Sequence, residues 1–74
     1  MEELLGILRG LRPEIDFGTH EALIDDGVLD SFDIVSIIAE IADVFDVSVG
    51  AEDIVPENFN SARALYALVE RLLD

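Results

Sequence analysis

One serine and the acids around it are the residues of this sequence with the clearest chemical potential. Ser31 ends the segment DDGVLDS, and a strongly apolar segment, FDIVSIIAEIADVF, follows at once. A serine nucleophile in an enzyme needs a general base and an oxyanion hole. His20 is the only histidine, and no serine lies in a G-x-S-x-G motif. The sequence therefore predicts no catalytic residues, and we interpret His20 as a surface residue of a loop.

The acidic residues raise the question of a calcium site. An EF-hand loop combines Gly at position six with Glu at position twelve, and the windows that begin at Asp16, Asp25 and Asp43 all lack this combination. The chain has no cysteine, which excludes disulfides and thiolate metal ligands. We predict no metal site beyond weak binding of divalent cations by surface carboxylates.

The charge balance indicates which partners the protein meets. The chain contains seventeen Asp and Glu residues and only four arginines, which gives a net charge of −13. Such a surface repels nucleic acid and anionic membranes, and it attracts proteins with basic patches. Solubility alone is the simpler explanation of the acids. Repulsion between copies of so acidic a chain predicts a monomer.

Length and hydropathy predict one domain over residues 1–74, because a chain of 74 residues supplies a single small core. No apolar run approaches the roughly 18 residues of a membrane span. The start of the chain, MEELLGILRG, has acids where a signal peptide has a basic region. These features predict a cytoplasmic protein that does not insert into membranes.

The second predicted helix, which ends near Phe45, has two different faces. Five apolar residues recur at helical spacing and predict a face toward the core; they are Ile34, Ile37, Ile38, Ile41 and Phe45. Phe32 lies on the opposite side of the helix, together with Ser36, Ala39 and Asp43, and Val35 lies between the two faces. A large aromatic residue among acids and away from the core predicts a docking surface.

The remaining segments predict two further long helices and one short one. The first helix runs from Glu2 to about Arg12 with a stripe of Leu4, Leu8 and Leu11, and Pro13 ends it. Short helical turns are predicted at AEDI or PENF, and Asn60 or Ser61 caps a last helix that reaches about Leu73. The stripe of this last helix is Ala62, Leu65, Val69 and Leu72.

A long loop from Glu14 to Asp30 joins the first two helices, and Gly18 and Gly27 mark turns in it. A loop of this length in a small domain must be fixed by its own apolar residues. The candidates are Ile15, Phe17, Leu23, Ile24, Val28 and Leu29. Together these segments predict an all-α bundle of three main helices and one short helix.

Ser31 has two compatible interpretations. Either Asp30 or Ser31 is the N-cap of the long helix. In addition, a helix N-terminus has free N–H groups and a favourable dipole for a phosphate, so a phosphodiester on Ser31 would be well placed. Phe32 beside it would then contact whatever enzyme handles the attached group.

The motif DGVLDSF, opening a helix that ends in FDV, resembles the attachment motif of acyl carrier proteins and peptidyl carrier domains. PENFNSA resembles the segment between the third and fourth helices of the same family. The similarity covers nearly the whole chain and is most specific from Gly27 to Phe45. It implies an acyl-carrier-like four-helix bundle in which Ser31 receives phosphopantetheine from coenzyme A. The resemblance also implies that a separate phosphopantetheinyl transferase, which uses magnesium, would make this bond, and that the arm would then carry an acyl or aminoacyl thioester.

The resemblance also implies partners and a docking surface. Loading ligases and downstream acyl-transfer enzymes with basic patches, of fatty-acid, polyketide, nonribosomal-peptide or D-alanyl-transfer pathways, would dock on the second helix and the segment after it. The residues implicated are Asp30, Phe32, Asp33, Val35, Ala39, Glu40, Asp43, Ile54 and Val55. Fatty-acid carriers often have Leu where this chain has Phe32, and acids where it has Ser36 and Ala42. The GVLDSF form is closer to free-standing carriers paired with adenylating ligases, including D-alanyl carriers. The alternative is an unmodified acidic helical module for protein interaction.

Overall fold

A computed structural model describes residues 1–73. The elements in chain order are α1 (Glu2–Leu11), α2 (Ser31–Phe45), a 3₁₀ turn (Ala51–Asp53), α3 (Pro56–Phe59) and α4 (Ala62–Leu73). All regular structure in residues 1–73 is helical, which confirms the predicted all-α class and its three long helices and one short helix. Both candidate turn segments, AEDI and PENF, contain helical turns.

The first helix ends where the chain meets proline. Glu2 and Glu3 occupy its first turn and Arg9 its last turn, which complements the helix dipole. The backbone of Arg12 leaves the helical region (φ −138°, ψ 79°) while its N–H still donates to the Leu8 carbonyl at 2.9 Å. Pro13 explains this geometry, because a residue that precedes proline is disfavoured in the α conformation.

The core lies where α1, α2 and α4 meet, and the long loop contributes to it. α1 packs against both α2 and α4, and α3 packs against α4. Burial of these side chains is the main source of stability in a chain without disulfides. The buried residues are Leu4, Leu8, Phe17, Leu23, Leu29, Ile37, Ile41, Phe59, Ala62, Leu65, Leu68 and Val69.

The predicted stripes differ from the structure at two residues, Leu11 and Leu68. Leu11 is 36% exposed, because it is the last residue of α1 and the backbone leaves the helical conformation at the next residue. Leu68 is buried although it was not in the predicted stripe of α4. On α2 the predicted core face is confirmed, because Ile37 and Ile41 are buried and the other three predicted residues, which are partly buried, pack against the core.

The long loop between α1 and α2 is fixed by apolar side chains, as predicted. Phe17, Leu23 and Leu29 are buried in the core, and the other three anchors pack against it. Gly27 has a φ of +71°, a conformation that favours glycine, and its N–H donates to the Ile24 carbonyl at 3.0 Å. These contacts fix the loop on the core, and they thereby fix the position at which α2 begins.

None of the helices in residues 1–73 combines the length and the apolar character that crossing a bilayer requires.

Candidate functional site

Ser31 is the first helical residue of α2, and its side chain is exposed. The N-cap is Asp30, whose carboxylate accepts the N–H of Asp33 at 2.9 Å. The carboxylate of Asp33 accepts the N–H of Asp30 at 3.2 Å, which completes a capping box. Of the two predicted caps, Asp30 is therefore the correct one. The hydroxyl of Ser31 makes no hydrogen bond within residues 1–73, so it has no structural task there.

The first turn of α2 has backbone N–H groups that the capping box does not use. The N–H of Asp33 is used by the cap and that of Ile34 donates to the Asp30 carbonyl at 3.0 Å. The N–H groups of Ser31 and Phe32 find no acceptor in the part of the chain that the structure describes. Free N–H groups at the positive end of a helix dipole stabilise an anion. A phosphate ester on the Ser31 hydroxyl would lie beside these donors.

The exposed face of α2 starts directly next to this serine. Phe32 is 78% exposed and Val35 is 65% exposed, and they are one helical turn apart. Ala39 and Asp43 continue the same face at helical spacing, and both are exposed, as is Glu40. The predicted outward orientation of Phe32 is confirmed. An exposed phenyl ring followed by an exposed valine forms an apolar patch with acids along one end.

Asp33 differs from the other predicted docking residues, because its side chain is only 13% exposed. One of its carboxylate oxygens lies 2.6 Å from the Arg12 guanidinium. Asp30 is likewise occupied by the cap. Glu40 and Asp43 make no ion pair or side-chain hydrogen bond among residues 1–73. The acids of α2 that remain available to a basic partner are therefore Glu40 and Asp43.

Arg12 holds a second acid as well. Its Nε atom lies 2.6 Å from the Glu14 carboxylate, and this hydrogen bond is the main reason that the pKa of Glu14 falls below its ordinary value. The same bond is the largest cause that raises the pKa of Arg12 above its already high ordinary value. Both groups are charged near neutral pH. Sequence reasoning missed the contact between Arg12 and Asp33, because 21 residues separate them along the chain.

Ile54 and Val55 lie beside α2, across a small apolar depression. Ile54 is 43% exposed and Val55 is half-buried. The depression holds about 90 Å³, and Ile34, one turn after Ser31, is part of its wall. The remaining wall residues are Ile24, Pro56 and Phe59. Of these two predicted docking residues, Ile54 presents more of its side chain to solvent.

His20 is half-buried, which makes the predicted surface position only partly correct. Its Nε2 atom lies 3.2 Å from the Asp26 carboxylate, but the atom is buried and forms no hydrogen bond of good geometry in residues 1–73. The ring lines a second pocket, of about 200 Å³, between the loop, α1 and the start of α4. Within the described part of the chain, no three His, Asp or Glu side chains are grouped so that they could hold a metal ion.

No protein-family model matches this sequence, and no curated protein matches it.

Proposed function

We propose that this protein is a carrier that holds an acyl or aminoacyl group as a thioester on a phosphopantetheine arm attached to Ser31. The observation that supports this most directly is the exposed Ser31 hydroxyl at the start of the longest helix, where Asp30 performs the capping. A serine with no structural task at this position is available for modification. The free N–H groups of Ser31 and Phe32 favour the phosphodiester that results.

The attachment reaction uses coenzyme A as the second reactant. The Ser31 oxygen forms a bond to the phosphorus that bears the pantetheine, and the pyrophosphate bond of coenzyme A breaks. The adenosine bisphosphate half leaves with the electron pair of that bond, and the hydroxyl proton passes to a base of the transferase. Ser31 is the acceptor in this reaction, and the catalysis belongs to the magnesium-dependent transferase. The carrier is not itself an enzyme.

The loaded arm would act as a tether. A thioester at its end is activated toward acyl transfer, and the tether holds the cargo at high effective concentration for a docked enzyme. Phe32 and Val35 supply an apolar contact beside the attachment point, and Glu40 and Asp43 supply charge for enzymes with basic patches. Adenylating ligases that load amino acids or specialised acids, and downstream acyl-transfer enzymes, are the proposed partners.

The helix order and the net charge of the chain are compatible with this role. The proposed fold family is the acyl-carrier-like bundle, which has the observed helix order and a long first loop. We propose that the carrier acts in the cytoplasm. We also propose that it is a monomer, since a net charge of −13 opposes self-association.

Transfer of the arm in vitro tests the proposal. The purified chain is incubated with coenzyme A, magnesium and a transferase of broad specificity, and the intact mass is measured. We expect a gain of one phosphopantetheine group that is lost in Ser31→Ala. Ser48→Ala removes an exposed serine outside the helices and is the matched control, which should gain the arm normally. No gain, with a transferase that modifies another carrier in the same buffer, would overturn the proposal in favour of an unmodified acidic interaction module.

A further inference from the structure

Arg12 connects the end of α1 to the start of α2. Its guanidinium lies 2.6 Å from the Glu14 carboxylate through Nε and 2.6 Å from the Asp33 carboxylate through a terminal nitrogen. The same terminal nitrogen is 3.5 Å from the Val28 carbonyl, at the end of the long loop. One side chain thus contacts the start of the long loop, the end of that loop and the first turn of α2, which contains Ser31.

The contact with Asp33 acts directly on the cap of α2. The Asp33 oxygen that faces Arg12 is the oxygen that accepts the N–H of Asp30. Asp30 in turn accepts the N–H of Asp33 at 2.9 Å. Ser31 lies between these two residues, so the backbone that carries its hydroxyl is held from both sides. Without Arg12, a carboxylate that is only 13% exposed would retain a single hydrogen bond at 3.2 Å and an unpaired charge.

Arg12 also changes the charge that an incoming reactant meets. Asp30 and Asp33 flank Ser31 in sequence, and both are carboxylates. Coenzyme A is strongly anionic, so unpaired carboxylates beside the acceptor hydroxyl repel it. The guanidinium of Arg12 offsets part of the charge of Asp33 by direct contact, although it also pairs with Glu14.

We infer that Arg12 is a positioning residue for the modification of Ser31, acting through Asp33 and the capping box. This inference rests on the proposed function. In the reaction the serine oxygen must meet phosphorus in line with the leaving group, and a displacement of about 1 Å can cost on the order of a hundredfold in rate. Arg12 directly follows α1, whereas Ser31 begins α2, so the contact fixes the acceptor relative to a second helix of the bundle.

The test compares rates of arm transfer to the wild type, Arg12→Ala, Arg12→Lys and the double variant Arg12→Ala with Asp33→Asn. Arg12→Ala should lower kcat by about tenfold or more, with the KM for the carrier little changed because the Phe32 and Val35 surface is intact. Arg12→Lys should restore part of the rate, because the lysine ammonium supplies a positive charge to Asp33. It lacks the branched guanidinium with which Arg12 also contacts Glu14, so the rate should not return fully. The double variant should be faster than Arg12→Ala, because the asparagine oxygen still accepts the Asp30 N–H and carries no charge.

Arg71→Ala is the matched control. The Arg71 guanidinium donates to the Asn58 side chain at 3.1 Å, far along the sequence from Ser31. The Arg71→Ala variant should therefore receive the arm on Ser31 at the wild-type rate. All rates are measured at a temperature at which circular dichroism shows every variant folded. A fall confined to KM, or a wild-type kcat in folded Arg12→Ala, would overturn the assignment of Arg12 and leave the carrier function intact. Failure of the wild type itself to accept the arm would overturn the carrier function, and the assignment of Arg12 with it.

Discussion

The side chain of Asn60 holds Asp25 from two directions. Its amide oxygen accepts the N–H of Asp25 at 3.1 Å, and its amide nitrogen donates to the Asp25 carboxylate at 3.2 Å. The same oxygen accepts the N–H of Ile24 at 2.9 Å, and the backbone carbonyl of Asn60 accepts the N–H of Leu23 at 2.8 Å. These bonds attach the long loop to Asn60, the C-cap of α3, two residues before α4 begins. On the loop side, Asp25 lies five residues before Asp30, the cap of α2.

Replacement of Asn60 tests how much this attachment stabilises the protein. Asn60→Ala removes the side-chain bonds and should lower the free energy of unfolding by roughly 1–3 kcal/mol in urea denaturation. Amide exchange at Ile24 and Asp25 should become faster, because their N–H groups lose their acceptor. Asn60→Asp keeps an acceptor but loses the donor to the Asp25 carboxylate and places a like charge beside it, so it should be less stable than the wild type at neutral pH. An unchanged midpoint in Asn60→Ala would show that the loop is held by its apolar anchors alone.

Phe32→Ala separates docking from folding. The ring is 78% exposed, so its removal should change the free energy of unfolding by no more than about 0.5 kcal/mol. If the exposed face of α2 meets partner enzymes, the same change should slow transfer of the arm or the loading of cargo. Val44→Ala is a useful control, since Val44 is also exposed but lies at the far end of the helix. A loss of several kcal/mol would contradict the exposed position of the ring.

The core face of α2 predicts a graded response to truncation. Ile41 is completely buried, so Ile41→Ala should cost roughly 2–5 kcal/mol. Ile38 is only partly buried at the edge of the core, and Ile38→Ala should cost distinctly less. Chemical denaturation of both variants gives the comparison. Equal losses, or a larger one at Ile38, would mean that the face is centred elsewhere.

Local patterns predicted the helices and the exposed side chain of Phe32, because helical periodicity shows directly which side of a segment is apolar. They also limited the N-cap of α2 to Asp30 or Ser31, since both residue types are common caps. They did not reveal that Arg12 pairs with Asp33 or that Asn60 holds Asp25. Those partners are separated by 21 and 35 residues. Polar contacts of this kind depend on how the loop folds back, and no periodicity encodes that.

Salt should stabilise the protein. The net charge of −13 implies repulsion in the compact state, and at 0.1 M ionic strength interactions between exposed charges are screened beyond about 10 Å. The melting temperature should therefore rise between low and moderate sodium chloride, and magnesium should raise it at lower concentrations. A melting temperature that stays constant or falls would show that the few ion pairs of Arg12 outweigh the general repulsion.

Asp46, which ends α2, combines an unfavourable backbone conformation with an unfavourable charge. It is the one non-glycine residue among residues 1–73 with positive φ, at 56°, and its carboxylate lies near the negative end of the helix dipole. Asp46→Ala removes the charge but keeps a side chain, whereas Asp46→Gly removes both penalties. Glycine should therefore be more stable than alanine by about 1 kcal/mol in urea denaturation, because only glycine adopts this conformation without steric cost. Asp46→Asn should exceed the wild type by a few tenths of a kcal/mol through the charge alone. Equal stability of the glycine and alanine variants would show that the left-handed turn at the end of α2 carries no strain.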